Sequence, residues 1–542
     1  MSLDKNRQIT TSGSASSSGS SADEATHIMR GMSSTSTRDE TTGSISEGNL
    51  EAEKISPFVF VLVALASISG FLFGYDTGYV SGALVVIKED LGRALSNGDK
   101  ELITASTSLG ALLGGVIAGA LCDFFGRKWV ITFANILFLV GAAIQCGAHT
   151  VWTMIGGRFV MGWGVGIASL CAPLYISELA PTRIRGRLVV LNVLAITGGQ
   201  LVAYGIGAGM AHVHQGWRIL VGLSMVPAFV QMVIFVFMPE TPRYLVRKDK
   251  IAEAKKVLAK TYATNDDAML DRKLHELMLH NAYKESGLTT VQRAKNTMKE
   301  LYMVPSNLRA LIIACGLQGI QQFCGFNSLM YFSATIFEVV GFDNATAVSI
   351  IVAGTNFVFT IVAFMVIDRI GRRRILLGTI WGMSLGLVVN AIAFHFLDKQ
   401  KEQNPNHALD KEHISGWAYV VLVAQLVYVA FYATGIGNVP WQQSELFPIS
   451  VRGVGTGMAT ATNWAGSLIV SSTFLTMLEN ITPTGTFSFY AGLCALGEVF
   501  VWFLYPETSG MDLEQIQQLL TGGFNIKESM RLSDEAKRGY KK

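Results

Sequence analysis

Two stretches decide the reading of this chain: Asp123-Phe-Phe-Gly-Arg-Lys128 and, 245 positions on, Asp368-Arg-Ile-Gly-Arg-Arg373. Each is a short charged hexapeptide between long apolar blocks. Two further echoes follow in the same order. Ser177-Glu-Leu-Ala-Pro181 with Arg185-Gly186 returns as Ser444-Glu-Leu-Phe-Pro448 with Arg452-Gly453, and Pro239-Glu-Thr241 returns as Pro506-Glu-Thr508, both shifted by 267. One such echo could arise by chance; three in matching order mark two parallel halves related by an axis along the membrane normal.

The blocks between these motifs are apolar and about 20 residues long, enough to cross a bilayer as a helix. Hydrophobic residues make up 50% of the 542 and charged residues only 15%, where soluble chains carry about 25%. Six spans are expected at 57–84, 102–122, 129–148, 152–175, 188–211 and 217–238, and six more at 308–337, 346–367, 375–397, 416–443, 454–477 and 486–505. The fold class is therefore an all-α polytopic membrane protein of twelve helices in two pseudo-symmetric halves. The composition argues against a soluble enzyme. No metal-ligand spacing or nucleotide loop is visible, so neither cofactor nor metal is expected, and with a net charge of +3 nor is nucleic acid. Gly110, Gly114, Gly115 and Gly119 stand at small-xxx-small spacing, which lets helices approach closely. The six cysteines fall inside apolar blocks and read as small core hydrophobes, without a disulfide framework.

The expected organisation is a Ser/Thr-rich tail over 1–54, too polar to bury a core, a first half over 55–238, a linker over 239–307, a second half over 308–506, and a tail over 507–542. In the linker Ile251, Ala254, Val257 and Leu258, then Leu270, Leu274, Leu277 and Met278, recur at helical spacing, so amphipathic helices are expected there. Lys and Arg concentrate in the loops after spans 2, 4, 8 and 10 and in the linker. The positive-inside rule then places both termini and the linker in the cytoplasm.

Charge inside a bilayer costs at least about 2.5–3.5 kcal/mol on insertion scales and needs a reason. Asp76 in span 1 and Arg158 in span 4 lie in the same half; paired, they make a proton switch, because protonating Asp76 would release Arg158. Glu498 in span 12 is a weaker candidate. Polar and aromatic side chains also gather in the core spans: Gln200, Gln321, Gln322, Asn327, Tyr331, Asn356, Trp441, Gln442, Gln443, Asn463 and Trp464. Buried amides must be hydrogen-bonded, and a polyhydroxylated ligand would satisfy them, with aromatic faces covering its C–H surface. Gly325-Phe-Asn-Ser328 takes the place of Gly74-Tyr-Asp-Thr77, with neutral Asn327 where Asp76 stands. At the cytoplasmic helix ends Arg127, Glu178, Arg185 and Glu240, and in the second half Arg372, Glu445, Arg452 and Glu507, form a gate whose pairs would break to open the inside.

These motifs resemble the sugar porter branch of the major facilitator superfamily over roughly residues 55–528. The resemblance rests on Gly74-Tyr-Asp-Thr-Gly78, Asp123–Lys128, Gly157-Arg158, Pro239-Glu-Thr-Pro-Arg243, Gln321-Gln-Phe323, Asp368–Arg373 and Pro506-Glu-Thr508. Within that branch Gly437–Pro448, Ala459–Gly466 and Asn327–Phe332 are similar to the yeast myo-inositol–proton symporters. The resemblance implies that Asp76 and Arg158 couple the proton. It also implies that Gln200, Gln321, Gln322, Asn327, Asn356, Trp441 and Asn463 contact the substrate. One position departs from the pattern: many hexose and pentose carriers have Gln after the span 5 Asn, and here Asn192 is followed by Val193. The expected function is proton-coupled import of myo-inositol by alternating access, by a monomeric, multi-pass protein of the plasma membrane in contact with lipid. The alternatives are a proton-coupled or facilitative hexose transporter and a non-transporting nutrient sensor of the same fold.

Overall fold

The computed structural model describes residues 56–181, 185–264, 266–282, 290–403, 415–448, 450–509, 511 and 513–539. The 1–54 tail and Arg183 fall outside this set, and the side chain of Arg185 is likewise outside the description.

The first half contains α1 (Pro57–Val86), α2 (Asn97–Phe125), α3 (Arg127–Cys146), α4 (Val151–Leu179), α5 (Arg185–Met210), and a sixth span divided at Ser224 into α6 (Gly216–Leu223) and α7 (Met225–Phe235). The linker forms α8 (Pro242–Arg247), α9 (Ile251–Tyr262), α10 (Asp267–Ala282) and α11 (Thr290–Met303). Its expected apolar stripe is real: Ala254, Val257, Leu258, Leu270 and Leu274 are buried. The second half contains α12 (Pro305–Phe323), α13 (Phe326–Val340), α14 (Ala345–Ile370), α15 (Arg372–Gln403), α16 (Gly416–Thr434), a 3₁₀ segment (Val439–Leu446), α17 (Arg452–Ser471), α18 (Phe474–Asn480) and α19 (Thr482–Leu504).

Eleven spans are apolar enough to cross a membrane by composition among the described residues. The twelfth, α17 with α18, is more polar because its Thr460, Asn463 and Ser467 turn inward and are buried. The segment read as a C-terminal tail forms α20 (Leu513–Thr521) and α21 (Ile526–Gly539). These dock on the second half. Arg309 Nη1 donates to Leu520 O at 2.6 Å, Gln517 Nε2 donates to Leu446 O at 2.6 Å, and Ile516 and Leu520 are buried.

Small residues set the first half's packing. A Cβ added at Gly110 or Gly114 on α2, or at Gly162 or Gly166 on α4, would strike the main chain of the other helix. The sulfurs of Cys122 and Cys171 meet across this α2–α4 contact as a disulfide pair, with Cα atoms 6.9 Å apart. This corrects the reading of all six cysteines as unpaired. The spacing that draws the helices together also brings these two thiols face to face.

The halves meet symmetrically. α5 of the first packs on α14 of the second, and α17 of the second packs on α2 of the first; these pairs are spans 5·8 and 11·2. The second half differs in where it is broken. Span 7, expected as one helix over 308–337, divides between α12 and α13 at Cys324-Gly325, where Gly325 has φ +87°. Span 10 passes from α16 into the 3₁₀ segment. Discontinuous spans expose backbone groups only where they line a site.

Replacing Gly325 tests this break. A Cβ there would sit 2.8 Å from the Tyr490 ring, and the left-handed backbone alone costs a non-glycine residue about 1–2 kcal/mol. Gly325→Ala is therefore expected to lower the unfolding temperature in detergent by several degrees; an unchanged temperature would mean that the break tolerates a side chain.

Candidate functional site

Arg158 has no exposed surface, and Asp76 is 2% exposed. Arg158 Nη1 donates to Asp76 Oδ1 at 2.7 Å and Nη2 to Oδ2 at 3.4 Å. The guanidinium also donates from Nη1 to the Tyr79 hydroxyl at 2.9 Å and from Nε to Ile103 O at 3.2 Å. Tyr79 in turn donates to Gln145 Oε1 at 2.7 Å. A buried ion pair holds only when its remaining donors and acceptors are satisfied, and here the shell does this. Tyr79 and Gln145 were missed from the sequence. The signals were available: Tyr79 lies three residues after Asp76, on the same helix face, and Gln145 is a lone amide in an apolar span.

Thr77, which the sequence offered only as part of the Gly74–Gly78 motif, links this pair to the amides. Its hydroxyl accepts from Gln200 Nε2 at 3.0 Å, and Gln200 Oε1 accepts from Asn356 Nδ2 at 2.9 Å. Gln200 lies on α5 and Asn356 on α14, so this bridge joins the halves. A second cluster forms at the broken spans. Asn463 Nδ2 donates to Gln321 Oε1 at 2.8 Å and to Gln318 Oε1 at 2.6 Å. Gln321 Nε2 donates to the carbonyls of Ile436 and Gly437 at 3.0 and 3.1 Å, between α16 and the 3₁₀ segment. Gln318 Nε2 donates to Gln443 Oε1 at 2.9 Å. Gln318 is a further residue that the sequence reading overlooked, one helical turn before Gln321 and Gln322. Asn327 Nδ2 donates to Gln322 Oε1 at 2.7 Å across the α12–α13 break. Trp464 places its ring 5.4 Å from Phe73, edge-on, and donates Nε1 to Ser169 Oγ at 3.4 Å, again joining the halves. Tyr331 is buried within range of both Asp76 and Arg158. Trp441 is half-buried on the 3₁₀ segment, and Gln442 Oε1 is buried beside it without a protein partner. Glu498 lies on α19, away from this assembly, with its charge facing Arg373.

At the basic end of the bundle the gate residues form two matching clusters, each within one half. Helices α3 and α15 begin after Gly126 and Gly371, with φ +92° and +108°, which offer no capping side chain. Glu240 supplies the cap from the end of span 6, accepting from Arg127 N at 3.0 Å and Lys128 N at 3.2 Å. Glu507 does the same from the end of span 12, accepting from Arg372 N at 2.9 Å and Arg373 N at 3.1 Å. A carboxylate on the unsatisfied N–H groups of a helix start is favourable in hydrogen bonding and in charge. Arg127 Nη2 then pairs with Glu178 at 2.9 Å, and Arg372 Nη1 pairs with Glu445 at 2.9 Å. Arg452 donates to Phe447 O from Nε and Nη2 at 3.3 and 3.2 Å.

The family model described as "Sugar (and other) transporter" matches residues 62–520, and the chain belongs to this family. It is 56% identical over 486 residues to "Myo-inositol transporter 1" of Saccharomyces cerevisiae, covering 90% of this chain and 83% of that protein. It is 51% identical to "Myo-inositol transporter 1" of Candida albicans, covering 97% and 94%. The fold matches the proton:xylose symporter XylE bound to 6-bromo-6-deoxy-D-glucose with a TM-score of 0.70 at 27% identity, covering 85% of this chain and 99% of that one. The inward open conformation of the xylose transporter XylE from E. coli matches with a TM-score of 0.67 at 27% identity, covering 85% and 99%.

Burial raises the Glu240 carboxyl above its ordinary value, against the lowering effect of the Thr241, Lys128 and Arg127 N–H groups and the Arg127 charge. The folded chain therefore binds this proton more readily than the unfolded one. The stabilising contribution is full below the ordinary pKa and is lost as pH rises through the raised folded value. Glu240→Gln keeps an acceptor for the α3 N–H groups and cannot ionise. Thermal unfolding in detergent from pH 4 upward is expected to fall with pH less steeply in this variant than in the parent; identical slopes would remove Glu240 as their source.

Proposed function

We propose that this protein is a proton-coupled myo-inositol importer of the plasma membrane. The observation that carries the reading is the continuity of the site: Asp76, paired with buried Arg158, is followed directly by Thr77, which holds the Gln200–Asn356 bridge between the halves. In this reading the basic end, both termini and the linker face the cytoplasm, and the chain works as a monomer. The 1–54 segment is a cytoplasmic tail in the same reading.

Proton uptake at Asp76 removes the charge that holds the Arg158 guanidinium, and the turn that carries Thr77 responds because it is the same turn of α1. Gln200, Gln318, Gln321, Gln322, Asn327, Asn356 and Asn463 bond to one another and to nearby protein groups in this structure. A cyclitol entering between the halves replaces those bonds with its own hydroxyls, and it contacts Gln200, Gln321, Gln322, Asn327, Tyr331, Asn356 and Asn463, with Trp441 and Trp464 against its C–H face. Opening toward the cytoplasm breaks the Arg127–Glu178 and Arg372–Glu445 pairs, with Arg185, Arg452, Glu240 and Glu507 at the same helix ends. The driving force is adequate. One charge crossing 100 mV supplies about 2.3 kcal/mol and a tenfold proton gradient about 1.4 kcal/mol, which together sustain roughly a several-hundred-fold solute gradient.

The test is labelled myo-inositol uptake into proteoliposomes with and without an inward proton gradient. Asp76→Asn is expected to abolish gradient-driven accumulation while retaining exchange; accumulation that ignores the gradient would leave a facilitator. Asn356→Ala removes a donor from the bridge, and losing one or two hydrogen bonds of about 1.4 kcal/mol each is expected to raise the KM for myo-inositol about 10- to 100-fold. Uptake of glucose or xylose in place of inositol would point instead to the hexose-carrier alternative.

A further inference from the structure

At the end of the bundle opposite the basic motifs, a set of hydrogen bonds joins the two halves. Ser81 and Ser333 hydroxyls meet at 3.1 Å, Ser108 and Ser467 meet at 3.0 Å, and Asn97 Nδ2 donates to Glu479 Oε1 at 2.5 Å. Among these contacts one group stands out chemically. Glu101, on α2, is 4% exposed, yet its carboxylate takes two donors from one residue of the other half: Thr476 N at 2.8 Å on Oε1 and Thr476 Oγ1 at 2.6 Å on Oε2. We propose that Glu101 is the latch that holds the exterior closed, a positioning residue for alternating access that acts on which state the transporter occupies. The exterior assignment rests on the orientation given under the proposed function.

The argument is one of differential contact. The bonds from Thr476 exist only while α2 and α18 touch. A conformational equilibrium shifts only by what a group gains in one state over the other, and a carboxylate that accepts two hydrogen bonds on burial gains it in the closed state alone. Serine–serine contacts at the same interface are neutral pairs, weaker than bonds to an ionised acceptor. The latch is also tied to the ion pair. Arg158 Nε donates to Ile103 O, two residues beyond Glu101. The opening turns of α2 are therefore held from one side by the guanidinium that Asp76 releases on protonation, and from the other by the second half.

The test uses full-length protein in intact cells carrying Ser333→Cys, a site with no exposed surface in the closed state. Labelling by a membrane-impermeant maleimide is counted as the increment this cysteine adds. Glu101→Ala is expected to speed exterior labelling about tenfold, equivalent to about 1.4 kcal/mol of closed-state preference. Glu101→Gln, which keeps one acceptor, and Thr476→Val, which removes one donor, should fall between. Adding Thr476→Val to Glu101→Ala should change nothing further, since the two residues act through one contact. Unchanged labelling in Glu101→Gln and Thr476→Val, both conservative enough to keep the fold, would overturn the latch, as would additive effects in the double variant. Myo-inositol counterflow is measured on the same cells. Labelling that responds to Glu101 in a protein that moves no inositol would sink the transport reading and leave the latch standing; normal counterflow with unresponsive labelling would do the reverse.

Discussion

A guanidinium with no exposed surface, inside a bundle meant for a bilayer, is the constraint on which the rest of this structure depends. Arg158 cannot shed its charge, because an arginine is not deprotonated in proteins. Every N–H on it must find an acceptor where water is scarce. Asp76, Tyr79 and the Ile103 carbonyl accept four hydrogen bonds from it, and this fixes three helices at once: α1 through Asp76 and Tyr79, α2 through Ile103, and α4 through Arg158 itself. The glycines at the α2–α4 contact are a consequence. The helices must approach closely for a side chain on α4 to reach a carbonyl on α2, and a Cβ at Gly110 or Gly162 would hold them apart.

The pseudo-symmetry of the halves is strict where the load is mechanical and is relaxed where the chemistry differs. Glu240 and Glu507 cap α3 and α15 by the same geometry, and the half-to-half contacts α5·α14 and α2·α17 exchange under the repeat. The first half then keeps α1 continuous and charged at Asp76. The second breaks span 7 at the matching place and puts Asn327 there, bonded to Gln322 across the break. A continuous helix suits a site whose protonation must be felt along its length. A broken one frees carbonyls such as Ile436 and Gly437 at span 10, which an amide such as Gln321 can use.

Much of this was legible in the sequence, for physical reasons that can be named. Period, span length and the three echoes are local signals, and they gave the twelve helices and two halves. Asp76 and Arg158 were found because charge in an apolar span is expensive in any fold. The partners that make that charge tolerable were not found, because Tyr79 and Gln145 look like ordinary residues until packing brings them together. The breaks in spans 7 and 10 were missed for a related reason: hydropathy runs smoothly through Phe323-Cys-Gly-Phe326, and only the left-handed backbone of Gly325 divides it. The Cys122–Cys171 contact was invisible for a third reason, since which thiols meet is decided by helix register.

The gate charges show how far pattern can carry an argument and where geometry must take over. Sequence placed Arg and Glu at matching helix ends and read them as pairs across helices, one set in each half. In the structure the pairs Arg127–Glu178 and Arg372–Glu445 lie within their own halves, and Glu240 and Glu507 serve main-chain N–H groups. While their pairs hold, such clusters stiffen the end of each six-helix bundle. Rocking of one half against the other needs rigid bodies, because an interface can be bistable only if the units on either side do not deform to follow each other. Besides these gate pairs, the contacts that distinguish one state from another are bonds that cross between the halves, among them Gln200 to Asn356 at the centre, Trp464 to Ser169, and the α2–α18 end. All of these trace back, within one or two residues along α1 or α2 or through direct packing, to the segments that hold Arg158. In the proposed reading, a proton on Asp76 therefore acts on the same segments of α1 and α2 that carry bonds to the other half.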